Sequence, residues 1–513
     1  MSLKQGLALG ACISLLAGCG GESSSGSSSS ATKYFNVSFI ELETQASPSS
    51  SCQIFGYDDS ETRGTSIIGY LTHPSTKYSI VVHDSNGDFV ERYNEGDGWT
   101  SSATNFSINQ DLVPDNGYVS FVSRVTSGGS TNFDVTTIAK SLLPDSFSVY
   151  AGNGTPNSSC ITGSNPTWSD YNIYLKPDDG YNFYGVNRYN QSTSDLASQY
   201  SHSGYDGSPF SFSSQTGKNV MAVRYATDEN YTSVGNLQAF AFLTTSQLGS
   251  ASNLLLDDSD AVDYTDNSWT LPASSYDITL SGANIYVDYN NSAFLWQPLD
   301  TSADGTFSYA STSDLLTTDY YLNITASQQA NSDNWDIQAV IQSDMSSSLT
   351  VDDFMSSLPS AQAFDITTCT SSTDNCYITS NTGVSNSDLV MRLMYQSTLT
   401  SGAARHVIYA DYSDELTQFT FSSSDDSTLS ALDGVASTNY SHVSVLSTTS
   451  EDVENAFLYQ HSNFYNMVGT DGDIVGSSYS DVDSIPLIQS YTNQLADNDL
   501  LKRTPYVWLD ASY

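Results

Sequence analysis

Asp304-Gly305-Thr306-Phe307-Ser308-Tyr309 is the stretch on which the fold turns. After a turn-forming Asp-Gly, an aromatic, a small hydroxyl residue and a second aromatic follow one another, the period-2 signature of a half-buried strand. The element recurs as Phe106-Ser107-Ile108, Phe210-Ser211-Phe212 and Phe419-Thr420-Phe421, each copy about 100 residues from the next. A strand-like run comes after each copy: Tyr118 to Val122, Asn219 to Tyr225, Tyr320 to Thr325, and His442 to Leu446. An asparagine then opens a further apolar run, at Asn132-Phe133, Asn236-Leu237, Asn334-Trp335 and Asn455-Ala456. Two independent marks that keep nearly one period describe an internal repeat.

Between the marks, short alternating runs end in turn residues. Tyr78-Ser79-Ile80-Val81-Val82 is followed by Asp84-Ser85-Asn86-Gly87, and Tyr171-Asn172-Ile173-Tyr174-Leu175 by Pro177-Asp178-Asp179-Gly180. Glycine and asparagine accept the positive φ of tight hairpins, so each run reads as a strand and its turn. No long stretch carries a 3.6-residue period; short helical turns are expected at Thr136 to Leu143, Val351 to Leu358 and Leu487 to Leu501. A unit of this length with six to eight short strands fits an immunoglobulin-like β-sandwich. The expected fold is all-β, with tandem immunoglobulin-like β-sandwich units at 34–144, 145–258, 259–359 and 360–480. Segment 481–513 is expected to pack on the last unit or extend it.

Composition agrees with strands. Charged residues make up 14% of the 513 and tyrosine alone counts 34, whereas helices favour Ala, Glu and Lys. The 57 acidic residues against 15 basic ones give a formal charge of −42. Such a surface repels phosphate backbones and anionic lipid, which argues against a nucleic-acid partner. It suits salty water, divalent cations, or simple solubility; salty water is the preferred reading.

The first residues address the chain. An apolar run, Gly6 to Ala17, follows Lys4 and closes in Leu16-Ala17-Gly18-Cys19, after which come Gly20-Gly21-Glu22 and a serine tract. The run has the charge, apolar core and small-residue exit of a secretory signal, and is too short to span a bilayer. Leu16-Ala17-Gly18-Cys19 resembles the lipobox of bacterial lipoproteins. That resemblance implies removal of 1–18, acylation of Cys19, and attachment to membrane lipid through several acyl chains. Gly20 stands where Gram-negative lipoproteins kept at the inner membrane carry Asp, so the resemblance implies the outer membrane, facing either the surface or the periplasm. Residues 19–33 then form a flexible tether with a reach of about 20 Å.

Four cysteines remain in the body, and in an exported chain they suggest two disulfides, with three possible pairings. Cys369 and Cys376 flank a polar hairpin-like loop and are expected to pair locally; Cys52 and Cys160, each preceded by a proline and two serines, would then join each other. A zinc site is the alternative, disfavoured because no histidine is suitably spaced nearby.

No Gly-x-Ser-x-Gly, His-Glu-x-x-His or phosphate-loop motif occurs, and the histidines at 73, 83, 202, 406, 442 and 461 form no pair at ligand spacing. Two acidic clusters offer hard oxygen ligands for calcium: Asp257, Asp258 and Asp260 with Asp263 and Asp266, and Asp471 and Asp473 with Asp481 and Asp483. Neither has the EF-hand spacing, and solvated loops account for them more simply. Tyr181, Phe183, Tyr184 and Tyr189 would suit a sugar platform, although strand cores use the same residues. The expectation is a non-enzymatic, structural or adhesive surface lipoprotein with no cofactor beyond the calcium those clusters would take, and with a surface protein or polysaccharide as partner. A carbohydrate- or calcium-binding surface protein is the alternative, and an exported hydrolase comes third. A close cluster of His, Asp and Ser in one cleft would favour the hydrolase.

Overall fold

The computed structural model describes residues 32–57, 64–74, 77–127, 129–151, 155–173, 175–176, 182–189, 210–227, 234–248, 254–256, 267–270, 278–301, 306–330, 333–342, 365–369, 375–378, 386–413, 415–425, 427–435, 440–459 and 487–512. The chain is all-β; among the described residues helix occurs only in short connections and two packed segments.

The repeat marks map onto a repeated pairing. The aromatic elements Asn105–Asn109, Phe210–Gln215 and Thr306–Tyr309 each pair antiparallel with a strand that begins their own stretch of chain: Tyr34–Gln45, Trp168–Ile173 and Asn267–Thr270. Three-strand antiparallel sets follow: Tyr78–His83 with Tyr118–Ser127 and Ser130–Ala139, Asn182–Arg188 with Val220–Thr227 and Val234–Leu243, and Ile278–Asp288 with Tyr320–Ala330 and Asp333–Gln342.

The last stretch departs from this in two places. Phe419-Thr420-Phe421 lies outside any strand because other groups take up its backbone. Thr420 N–H donates to Gly87 O at 2.9 Å and Phe421 N–H to the Asp433 carboxylate, so both rings turn inward. The apolar run opened by Asn455-Ala456, where the other three copies have a strand, belongs to the helix Glu451–Tyr459. Glu451, Asp452 and Glu454 favour its positive N-terminal end, while Val453, Ala456 and Phe457 form the buried stripe. The third-strand place beside Tyr440–Ser447 is filled instead by Tyr506–Ser512, which arrives after a second helix, Tyr491–Arg503. Of the expected helical turns, Thr136 to Leu143 is a strand to Ala139 and then a 3-10 turn, Lys140–Leu142. Leu487 to Leu501 is a short strand followed by the second helix, and Val351 to Leu358 lies outside the described residues.

The strand sets fuse. Thirteen strands form one sheet in the order Ala293–Pro298, Ile278–Asp288, Tyr320–Ala330, Asp333–Gln342, Tyr506–Ser512, Tyr440–Ser447, Asn386–Leu399, Gly402–Tyr412, Ser130–Ala139, Tyr118–Ser127, Tyr78–His83, Phe89–Glu95, Gly98–Trp99. Strands from 34–144, 259–359 and 360–480 therefore share one ladder. The N-terminal and later strands meet in parallel, Phe133–Ile138 against Ala404–Tyr409. Gly402 makes that seam possible: at φ +121° a Cβ there would collide with the Thr131 carbonyl. Asn132 Oδ1 accepts from Ala403 N–H at 3.0 Å, so this repeat asparagine caps the seam.

Both faces of the sheet are covered. A seven-stranded sheet containing Tyr34–Gln45 and Ser146–Tyr150 brings Phe35, Val37, Phe39 and Val149 onto Ile80, Val82, Val340 and Trp508, with Phe457 of the first helix. On the other face Val81, Val122, Leu393 and Leu509 belong to a core shared with Met221, Val223 and Tyr225 of the separate Asn182–Arg188 sheet. That sheet meets the edge strand Ala293–Pro298, whose carbonyls would otherwise invite a foreign strand. Asn187 Nδ2 donates to Leu295 O and Tyr225 OH to Trp296 O at 2.9 Å. The fully buried Gln297 amide fills all four of its valences, accepting from Leu237 N–H and Ala310 N–H and donating to Asn236 Oδ1 and Ser308 O.

Cys52 is bonded to Cys160 and Cys369 to Cys376. The first closes a span of 108 residues and ties the Ile54–Tyr57 side of the seven-stranded sheet to the start of the following stretch.

Candidate functional site

Three adjacent strands bring together the residue types that a hydrolase would need. The register aligns Arg392 with Ser444 and Ser444 with Asp510, a row across Asn386–Leu399, Tyr440–Ser447 and Tyr506–Ser512. His442 is two residues from Ser444 and so shares its face. Asp510 Oδ1 is the common acceptor: His442 Nε2 lies 3.1 Å away, Arg392 NH2 3.7 Å, and Ser444 Oγ donates to it in a short hydrogen bond. Arg392 NH2 also donates to Ser444 Oγ at 3.0 Å, and its guanidinium stacks over Phe457 and Trp508. Burial alone would raise the Asp510 pKa; the His442 and Ser444 hydrogen bonds and the Arg392 charge outweigh it and hold the carboxyl below the usual value.

This connectivity decides what the cluster can do. A serine nucleophile must hand its proton to the imidazole, with the carboxylate behind the imidazole. Here Ser444 is fully buried and its proton is directed at the carboxylate, while His442 contacts the same oxygen. The geometry is that of a carboxylate clamp, three donors converging on one acid.

Two other histidines meet in the interior. His83 and His406 are linked by a continuous chain of hydrogen bonds, from His83 Nε2 to Ser120 Oγ (2.8 Å), on to Thr137 Oγ1 (2.6 Å), and then to His406 Nε2 (2.6 Å). His406 Nδ1 continues to Tyr395 OH (2.9 Å), which meets Tyr377 OH (2.7 Å). Phe419 and Phe421 pack against both imidazoles, which explains why the fourth repeat mark leaves the ladder. Burial drives the His83 pKa down to about 3 and that of His406 well below its ordinary value, so both rings are neutral. The chain crosses the parallel seam, and its chemistry is cross-strand stitching.

A third cluster fixes the second helix. Arg503 Nε donates to Asp499 Oδ2 at 2.8 Å and its NH1 lies 3.3 Å from Asp288 Oδ2, while Asp499 Oδ1 accepts from Ala293 N–H at 2.8 Å. Tyr189 OH reaches Leu495 O, and Lys218 Nζ sits 3.9 Å over the Tyr189 ring. Burial raises the Asp288 pKa and lowers that of Lys218, so these charges work at reduced solvation.

The residues singled out from sequence fall as follows. The four body cysteines are disulfide-bonded; Glu415 stands near Cys369 and Cys376, but neither sulfur is a free thiolate ligand. Cys19, the cluster Asp257, Asp258 and Asp260, and the cluster Asp471 and Asp473 lie outside the described residues. Phe183, Tyr184 and Tyr189 are buried, which corrects the sugar-platform reading of these three; Tyr181 is outside the described residues. Sequence reading missed the clamp and the histidine chain. The strand-like run His442 to Leu446 does place His442 and Ser444 on one face, but nothing local brings Asp510 to them.

No protein-family model matches this chain, and a search of curated proteins returns no match.

Proposed function

We propose that this protein is a bacterial outer-membrane lipoprotein with a non-catalytic, structural or adhesive role, anchored by acylated Cys19 and projecting its β-body from a Ser/Gly tether. The observation that carries the reading is Leu16-Ala17-Gly18-Cys19 with its preceding apolar run and following serine tract, ahead of a first strand that begins at Tyr34. The side-chain clusters support the non-catalytic half: the serine, histidines and acids of the types used in catalysis are engaged in holding strands and a helix together. The strand sets are read as immunoglobulin-like sandwiches. Pairing of the first strand with the aromatic strand, beside a three-strand antiparallel set, supports that reading.

Mass spectrometry of the mature N-terminus tests the anchor. The expected result is a chain starting at acylated Cys19, with Cys19→Ala shifting the protein out of the membrane fraction; an unmodified thiol would overturn the proposal. Protease treatment of intact cells then separates the two orientations. Loss of the protein supports contact with outside partners, whereas protection until the envelope is permeabilised supports a role in envelope structure.

A further inference from the structure

The middle residue of the repeat mark faces away from the cores. Ser107 stands between Phe106, which packs on Tyr93 and Trp99, and the buried Ile108; Ser211 precedes the buried Phe212. In both copies the serine lies opposite an asparagine of the strand that opens its own stretch, Ser107 opposite Asn36 and Ser211 opposite Asn172. All four residues are exposed. The two pairs are bonded alike: Ser107 Oγ donates to Asn36 Oδ1 at 2.9 Å, and Ser211 Oγ to Asn172 Oδ1 at 2.6 Å. The third copy keeps an exposed serine, Ser308, with Ser268 opposite it in the ladder. Burial of the flanking aromatics does not require these pairs, yet they hold the same place in the ladder of both stretches.

We infer that the outward faces of these strand pairs bind an uncharged, hydroxyl-rich polymer, a neutral polysaccharide. The inference rests on the adhesive half of the reading above and names its partner class. Each pair spends the serine proton and one asparagine oxygen lone pair internally, and leaves the amide N–H donors and the serine lone pairs side by side at the surface. Asn36 Nδ2 makes only long contacts, 3.3 Å to Asp145 O and 3.5 Å to Tyr34 O. Vicinal sugar hydroxyls, each both donor and acceptor, complement that couple. Tyr34 is 45% exposed and lies two residues before Asn36, so its ring shares this face and offers an apolar surface to a sugar ring. Asp170 holds the corresponding place before Asn172, is exposed, and adds acceptor oxygens.

Charge selects the occupant. In a chain of formal charge −42, the outward positions of Tyr34–Ser38, Asn105–Asn109 and Ser146–Ser148 carry Tyr, Asn and Ser alone. An anionic polymer is repelled by the whole molecule, and a cationic one is drawn to its acidic regions. An uncharged strip favours a partner that binds by hydrogen bonds and stacking. Its short side chains, spread over three strands, leave room for an extended chain.

Affinity electrophoresis tests this with the whole mature chain carrying Cys19→Ala, run through gels that contain dextran, galactomannan or, as the acidic control, polygalacturonate. Retardation by a neutral polymer is expected, unchanged at high salt, with none by polygalacturonate. Asn36→Ala combined with Asn172→Ala should weaken the apparent affinity roughly tenfold while circular dichroism and the unfolding midpoint stay at the wild-type values. Tyr34→Ala should weaken it further. No retardation by either neutral polymer overturns the inference, as does retardation that salt abolishes or that the double substitution leaves unchanged. The measurement is made without the acyl anchor, so its failure leaves acylation of Cys19 standing, and an unacylated Cys19 leaves the binding standing.

Discussion

Replacing His83 with glutamine tests the buried histidine chain through its linkage to pH. His83 is fully buried and its pKa falls to about 3, mainly because burial disfavours the charged ring. An unfolded chain returns it to about 6.5. Above pH 6.5 neither state holds the proton and the contribution is complete; below it the unfolded state takes up a proton that the folded state refuses, so stability is lost as pH falls toward 3. Each pH unit in that window costs about 1.4 kcal/mol, or about 2.7 kcal/mol between pH 6.5 and 4.5. Asp288, Asp411, Glu454 and Asp497, whose pKa values burial raises, act with the opposite sign, but they are common to both proteins and cancel in the comparison. His83→Gln should be the less stable protein at pH 7.5, since it disturbs the bond to Ser120 and the packing on Phe419 and Phe421. Its deficit relative to wild type should shrink by about 2.7 kcal/mol at pH 4.5. Urea unfolding followed by tryptophan fluorescence, run on both proteins at the two pH values, measures this. A deficit that stays constant with pH would refute the neutral, buried imidazole.

Three further substitutions probe the joints of the fold. Gly402→Ala should destabilise by about 3 kcal/mol or more, because it combines an unfavourable φ with a Cβ driven into Thr131, and thermal unfolding would show it. Gln297→Ala takes the acceptor from Ala310 N–H and the donor from Asn236 Oδ1 and Ser308 O in the interior. A loss of about 3–5 kcal/mol is expected, and hydrogen exchange should locate faster opening at strands Val234–Leu243 and Ala293–Pro298. By chain entropy, the Cys52–Cys160 link with its 108-residue span contributes about 4.8 kcal/mol, against about 2.5 kcal/mol for Cys369–Cys376 with its span of 7. Paired Cys→Ala variants compared by urea midpoint should therefore rank in that order, and the reverse ranking would count against the assignment of stability to loop closure.

The strands were legible because local chemistry dictates them. Alternating aromatic and hydroxyl residues such as Phe307-Ser308-Tyr309, closed by Gly, Asn and Asp turns, leave the backbone little alternative to an extended form, and the repeated asparagines marked where third strands begin. Even the disulfides could be read, Cys369–Cys376 from the short polar loop between them and Cys52–Cys160 from their matched settings. The helix at Glu451–Tyr459 was not, because it stands where three copies of the repeat carry a strand; its acidic first turn and buried Val453, Ala456 and Phe457 were the signal overlooked. What the sequence could not reveal was how the strand sets join. The parallel seam at Phe133–Ile138, the placing of Tyr506–Ser512 inside a sheet, and the meeting of His83 with His406 or of Arg392 with Asp510 depend on which edges find each other across hundreds of residues. Local alternation specifies which side of a strand is apolar, but not which edge it will face. That choice is made by the burial of two cores at once and by the polar groups left to be satisfied between them.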